Sequence, residues 1–302
     1  MSCPSVALCV VVDTAGEVMT STSPQSAGPW SLVQLAGSPR LDAVSCPTVS
    51  FCVATGAGVF ISTDPTGGAN TWISQGVANS NVLVSVSCAS TTQCVAVNVS
   101  PPGALVSSEP MGGASAWQAV SWPGSGTPAP EMSVVTCPST HLCVAAGHYG
   151  KVEVSSDPAG GASSWHESVA DPKGGSPGGQ SPNSLVAISC PTVRSCTALD
   201  TSGGVVTTTS PAGSWNFYDL PTVSSWISLS CSAPSVCLGI GTSGTAADTI
   251  VRATSKATAG PGGWSTSLSQ SSFSFELPTC TPTSQCFVLR SDATAYSGAL
   301  AR

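Results

Sequence analysis

Charge is scarce in this chain. Of 302 residues only 8% are charged, 15 acidic against 8 basic, for a net charge of -7. The basic residues form no stripe and do not alternate with aromatics, so nothing offers a platform for a phosphate backbone and no nucleic-acid partner is expected. No apolar run reaches the roughly 18 residues of a membrane-crossing helix, and no membrane insertion is expected. Sustained helical periodicity is also missing, which excludes the all-α and α/β classes. Three histidines and no Cys-x-x-Cys pair leave little for metal or redox chemistry; neither a metal nor a cofactor is expected. Met1 is followed almost at once by Cys3, so no signal peptide is visible. With few ion pairs to lose, the fold should tolerate acid.

What the chain has is cysteine in a fixed rhythm. All fourteen fall into Cys-x5-Cys pairs: Cys3/Cys9, Cys46/Cys52, Cys88/Cys94, Cys137/Cys143, Cys190/Cys196, Cys231/Cys237 and Cys280/Cys286. The pairs recur at intervals of 43, 42, 49, 53, 41 and 49 residues, the length of one four-stranded propeller blade. Zinc sites need shorter spacings and further ligands, so seven structural disulfides are expected, each closing a short hairpin and each contributing about 2 kcal/mol in the chain-entropy account. Disulfides on this scale imply an oxidising, extracellular or cell-surface location.

Aligned on the first cysteine, each repeat reads as four strands. Strand A is an apolar run such as Leu41-Asp-Ala-Val-Ser-Cys, Leu83-Val-Ser-Val-Ser-Cys, Met132-Ser-Val-Val-Thr-Cys or Leu185-Val-Ala-Ile-Ser-Cys. Strand B starts at the second cysteine, and strand C follows a glycine turn, as in Gly58-Val-Phe-Ile-Ser or Lys151-Val-Glu-Val-Ser. The expected fold is all-β: one seven-bladed β-propeller over 1–302, with antiparallel four-stranded blades starting near residues 1, 41, 83, 132, 185, 226 and 275 and one disulfide per blade. The N/C seam should be incomplete, because blade one keeps only Met1 and Ser2 of strand A and, in blade seven, Ser297 aligns with the serine that ends strand C.

A second motif runs from Ser62-Thr-Asp-Pro to Trp72, from Ser107-Ser-Glu-Pro to Trp117 and from Ser155-Ser-Asp-Pro to Trp165, with altered copies ending at Trp30, Trp215 and Trp264. It resembles the Asp-box of bacterial-neuraminidase-type repeats, found at the turn between strands C and D of sialidases and of many non-enzymatic propellers. The resemblance implies a structural turn in which Asp64 and Asp157 accept backbone N–H groups and the tryptophan packs as strand D begins. Sialidases of that family also resemble one another in an arginine triad that grips a carboxylate, and here only Arg40, Arg194, Arg252, Arg290 and Arg302 exist, in positions that do not converge. No catalytic residues are therefore expected. Photosystem-assembly-type propellers resemble the repeat as well, without a basic patch that would carry their role over.

In propellers the D-to-A connections and the B–C turns share one face. Two D-to-A connections are long, Ala119 to Met132 with Trp122 and Glu131, and Glu167 to Leu185 with Asp171 and Lys173. Both flank blade four, whose B–C turn is Gly147-His148-Tyr149-Gly150 where other blades carry small residues. Trp122, Glu131, His148, Tyr149 and Lys173 are thus the candidate ligand-binding residues, on an exposed aromatic face. Trp226 replaces the usual aliphatic at the start of strand A and reads as core, His141 and His166 map to the other face, and Asn98-Val-Ser100 matches a glycosylation sequon that also arises by accident. The expected function is a secreted or cell-surface binding or scaffold module, not an enzyme, monomeric, with an unknown protein or glycan on its upper face. The alternatives are a lectin-like glycan binder or, further off, a sialidase-like glycoside hydrolase.

Overall fold

β-branched runs punctuated by glycine turns do give strands and little else: in the computed structural model the described residues contain 27 strands and only short 3-10 turns. The structure describes residues 1–25, 30–77, 82–123, 131–175, 183–243, 249–254, 260–269, 275–281, 283, 285–290 and 295–299. The strands form seven antiparallel sheets, six of four strands and one of three, each in chain order A-B-C-D. Blade two is typical, with strands Leu41–Thr48, Phe51–Gly56, Val59–Ser62 and Trp72–Ser74. The chain divides into two compact units, 1–23 with 28–145 and 153–167, and 24–27 with 146–152 and 168–302. None of the described residues lies in a helix long and apolar enough to cross a membrane.

All seven expected disulfides are present: Cys3–Cys9, Cys46–Cys52, Cys88–Cys94, Cys137–Cys143, Cys190–Cys196, Cys231–Cys237 and Cys280–Cys286. Each joins strands A and B with Cα atoms 4.0–4.1 Å apart, and no cysteine is free. They are structural, as the spacing implied, and they lie in the core. Cys9, Cys52, Cys94, Cys143, Cys196 and Cys237 are all 0% exposed, because the second cysteine of a pair opens strand B, the strand covered on both faces. Cys52, Cys94, Cys143 and Cys237 each sit within an apolar layer. Sulfurs sealed in this way meet no ligand, metal or external thiol, and they act by packing and by cross-linking the hairpin.

The short first strand A is also as expected: Ser2–Ser5 has four residues where blade two has eight. Blade seven has three strands among its described residues. Its register moves one expectation by a residue. In other blades the second cysteine faces the residue that starts the C–D turn, Cys52 opposite Ser62 and Cys94 opposite Ser107; Cys286 faces Gly298, so Ser297 is not that position.

Strand A does not alternate simply. Leu41 and Val44, and likewise Leu83 and Val86, are buried three residues apart because the pairing with strand B slips between Leu41 and Ala43, and between Leu83 and Ser85. The extra residue, Asp42 or Val84, is a β-bulge that bends the strand and turns the following side chains inward. Buried residues of adjacent blades then meet face to face. Leu8, Val10, Leu41, Val44 and Trp72 form one such layer, and Ala187, Leu199, Leu229, Trp226 and Trp264 another. Trp226 is core as the sequence suggested, at 2% exposure.

Neighbouring blades are also latched through the residue before the first cysteine. Ser2 Oγ accepts the backbone N–H of Cys46 at 3.0 Å, Ser45 that of Cys88 at 3.0 Å, and Ser87 that of Cys137 at 2.9 Å. In the second unit Ser189 accepts from Cys231 and Ser230 from Cys280. The hydroxyl reaches where no backbone carbonyl can, since adjacent blades share no ladder.

The C–D turns correct the role given to the acid. Ser62 Oγ accepts the Asp64 N–H at 3.2 Å, Ser107 that of Glu109 at 3.1 Å and Ser155 that of Asp157 at 3.1 Å. The acceptor is the serine, and the Asp64 carboxylate instead receives the Thr66 hydroxyl at 3.0 Å. Gly67 and Gly160 close the turn onto the carbonyls of Asp64 and Asp157, which explains why Glu109 or Ser210 serves at the same place. Trp72, Trp117, Trp165 and Trp264 are buried, as blade packing requires.

Candidate functional site

The B–C turns of blades one, four and five reverse the chain through residues with positive φ. Blade one uses Gly16 at φ 84° and blade five Gly203 at φ 88°. Blade four uses Gly150 at 66° in the same place and adds Tyr149 at φ 61° before it. A bulky residue in the left-handed region costs about 1–2 kcal/mol, so something must hold it there. The support comes from the start of the long connection that follows strand D (Trp165–Val169). The backbone N–H groups of Ala170 and Asp171 both donate to the Gly150 carbonyl, at 2.9 and 3.0 Å, and Gly174 N–H closes back on the Asp171 carbonyl at 3.1 Å. Approach is so close that a Cβ on Gly174 would lie 2.0 Å from the Tyr149 carbonyl oxygen. The loop over 170–175 is therefore a fitted support under the turn, while 176–182 lie outside the described residues.

His148 and Tyr149 pack edge to face, ring centroids 6.0 Å apart, and both are half-buried rather than fully exposed. Lys173 is held from two sides: its ammonium lies 2.6 Å from the Asp219 carboxylate and 4.8 Å from the centroid of the Phe217 ring. These residues, all in the second unit, make a rim of one cation, one acid and three rings.

Trp122 does not belong to a surface. It is 5% exposed and packs edge to face on Trp165 at 5.2 Å, within the layer that holds Met132 and Val135. Its indole turns inward onto Trp165 and the blade core; only an environment, not a spacing, could have revealed that. Glu131, at the end of the same connection, is half-buried beside 124–130, which are outside the described residues. Asn98 also changes meaning: it is 8% exposed and its amide donates to the Pro101 carbonyl, so the sequon match is a turn lock.

Sequence reading passed over a buried acid pair beneath the rim. Asp171 and Asp200 are both fully buried. Asp200 caps the blade-five B–C turn, its Oδ1 accepting Ser202 N–H at 2.8 Å and Gly204 N–H at 2.6 Å, and its Oδ2 accepting the Asn183 amide at 3.2 Å. Asp171 Oδ1 accepts the Lys173 N–H at 2.8 Å. Burial, with the Asp200 charge adding to it, pushes the Asp171 carboxyl up to about 6. Among the described residues no group of three or more His, Cys, Asp or Glu side chains could hold a metal. Arg40 is tied to Asp42 at 2.6 Å, and Arg194 sits in the tight A–B hairpin of blade five, its N–H on Thr192 Oγ1. Arg252 and Arg290 lie in strands of blades six and seven, and Arg302 is outside the described residues.

No protein-family model and no curated protein sequence matches the chain. Solved structures do, at low identity. The WD40 β-propeller domain of Doa1 superposes with a TM-score of 0.69 at 11% identity, covering 98% of this chain and 90% of that one. YCF48 bound to a D1 peptide gives 0.62 at 12%, covering 90% and 82%, and YCF48 from Cyanidioschyzon merolae 0.60 at 13%, covering 80% and 78%. The likeness is one of fold: this chain is an all-β propeller of seven blade sheets.

Proposed function

We propose that the chain is a secreted or cell-surface, monomeric propeller of the Asp-box type that binds a protein segment on the rim around Tyr149 and catalyses no reaction. The observation that carries this reading is Tyr149 itself, an aromatic kept at φ 61° ahead of the turn glycine Gly150, where blades one and five carry the small residues Ala15 and Ser202 without positive φ. Strain retained at one turn of a repeat, and supported from below by fitted backbone hydrogen bonds, marks a position whose side chain is wanted. A Tyr held in advance also binds at small entropic cost and offers both ring and hydroxyl to a partner.

A protein partner is favoured over a glycan by precedent and by chemistry. One similar propeller, YCF48, takes a peptide. The rim here pairs rings with an already satisfied Lys173–Asp219 couple, which suits a mixed apolar and polar peptide surface. Hydrolysis is disfavoured because Asp171 and Asp200, the one carboxylate pair in the region, are fully buried and so out of reach of a substrate. Seven disulfides support an oxidising compartment. The test is to probe the purified chain on a random peptide array and on a glycan array. Selective peptide capture is expected; capture by glycans alone would replace this reading with the lectin one, and glycan cleavage would overturn it.

A further inference from the structure

We infer that Asp171 and Asp200 share one proton, and that this proton is the clasp seating the blade-four exit loop under the Tyr149 turn, so that the order of the rim falls as pH rises through the mildly acidic range. The consequence for a ligand rests on the rim reading above; the clasp itself does not.

The geometry points there through an atom left over. Every oxygen of Asp200 and the Oδ1 of Asp171 accepts an N–H, whereas Asp171 Oδ2 is buried with no hydrogen-bond donor. The side chains within reach of the Asp171 carboxyl are Asp200 and Asn183. Asn183 lies within reach as a donor and opposes the rise, but its amide is bonded to Asp200 at 3.2 Å and forms no hydrogen bond to Asp171 Oδ2. Two carboxylates cannot hydrogen-bond each other, but a carboxylic acid and a carboxylate can. A proton on Asp171 Oδ2, donated to Asp200, satisfies the orphaned atom and removes one of two buried like charges.

Blade one provides the internal comparison. Asp13 caps its B–C turn as Asp200 does, Oδ1 accepting the N–H groups of Ala15 at 3.0 Å and Glu17 at 2.8 Å. The connection there places buried Leu35 on the Gly16 carbonyl, at 3.0 Å, with no second acid after it. Capping thus accounts for Asp200 alone, and Asp171 is an addition that packing does not demand. The other charged or titratable groups on surrounding elements are His148, Tyr149 and Lys151 in and at the end of the turn, Lys173 in the loop, Tyr218 and Asp219 on strand D of blade five, and Glu153 and Glu167 on the strands that feed the turn and loop. Asp200 is the one whose charge bears on the Asp171 carboxyl, and burial is the larger cause of its rise to about 6. Loss of the proton sets two carboxylates against each other beside the Asp171 N–H that holds the Gly150 carbonyl.

The experiment follows Asp171 and Asp200 carboxyl carbons by NMR from about pH 4 to about pH 8, together with hydrogen exchange at the amides of Ala170, Asp171 and Gly174. With no ligand present, success or failure is independent of the binding proposal. Asp171 should titrate near 6, and the protection of the three amides, corrected for intrinsic base catalysis, should fall by roughly tenfold to a hundredfold across that step. Asp171→Asn, which keeps a donor in place permanently, should hold its protection at every pH. Titration of Asp171 in the ordinary carboxylate range, or unchanged protection in the natural chain, would overturn the clasp even if the variant fails to fold. So would calcium ions that restore protection at high pH, since the pair would then be a cation site.

Discussion

The hydroxyl of Ser45 in blade two accepts the backbone N–H of Cys88 in blade three at 3.0 Å. It is one of five such latches among the described residues, and each ties the disulfide of one blade to strand A of the blade before. Ser45→Ala removes the acceptor and should cost about 1–2 kcal/mol in reversible denaturation under oxidising conditions. Ser45→Thr should cost much less, because it keeps a hydroxyl acceptor on the same Cβ.

Trp122 and Trp165 should behave as one packing unit. Truncation of either to Ala should destabilise by about 3–5 kcal/mol, and the double variant should cost less than the sum because the two rings touch at 5.2 Å. A Trp122→Ala protein that melts like the parent would return that residue to the surface.

Acid should strengthen the fold before it weakens it. Asp171 has a folded value, about 6, above the roughly 3.9 of an unfolded aspartate, so its contribution is complete below about pH 4 and is lost as pH rises through about 6. Melting temperature should therefore climb on going from neutral pH to about pH 5, and the climb should vanish in Asp171→Asn.

Asn98 should stay unmodified. In a glycosylating host the chain should carry no glycan at Asn98-Val-Ser100, because the amide is buried and committed to Pro101; peptide mass spectrometry checks this.

Much of the fold was legible because cysteines at a fixed spacing cannot drift: each pair locates an A–B hairpin, and the glycines and tryptophans mark the turns after it. The spacing alone did not say that Cys9, Cys143, Cys196 and Cys237 would be wholly enclosed, since that follows from the neighbouring blades that cover strand B. The bulge in strand A was hidden, since Asp42 and Val84 have nothing in common except the register slip they occupy. The latches were visible as a recurrent Ser-Cys dipeptide, but a hydroxyl that bonds some 43 residues away looks like any surface serine. At the site, Tyr149 stood out as a large residue in a row of small ones. Trp122 misled because an aromatic after a strand is the same letter whether it faces water or folds back. Asp171 gave no signal, as its meaning depends on Asp200 in the next repeat.

The most direct measurement is a paired assay on Tyr149→Gly. Glycine relieves the left-handed strain, so the variant should melt at or slightly above the parent, by up to about 1 kcal/mol, while losing capture of the peptides selected by the natural chain. A variant that is clearly less stable, or that still binds those peptides as well as the parent, would contradict a rim built to present that side chain.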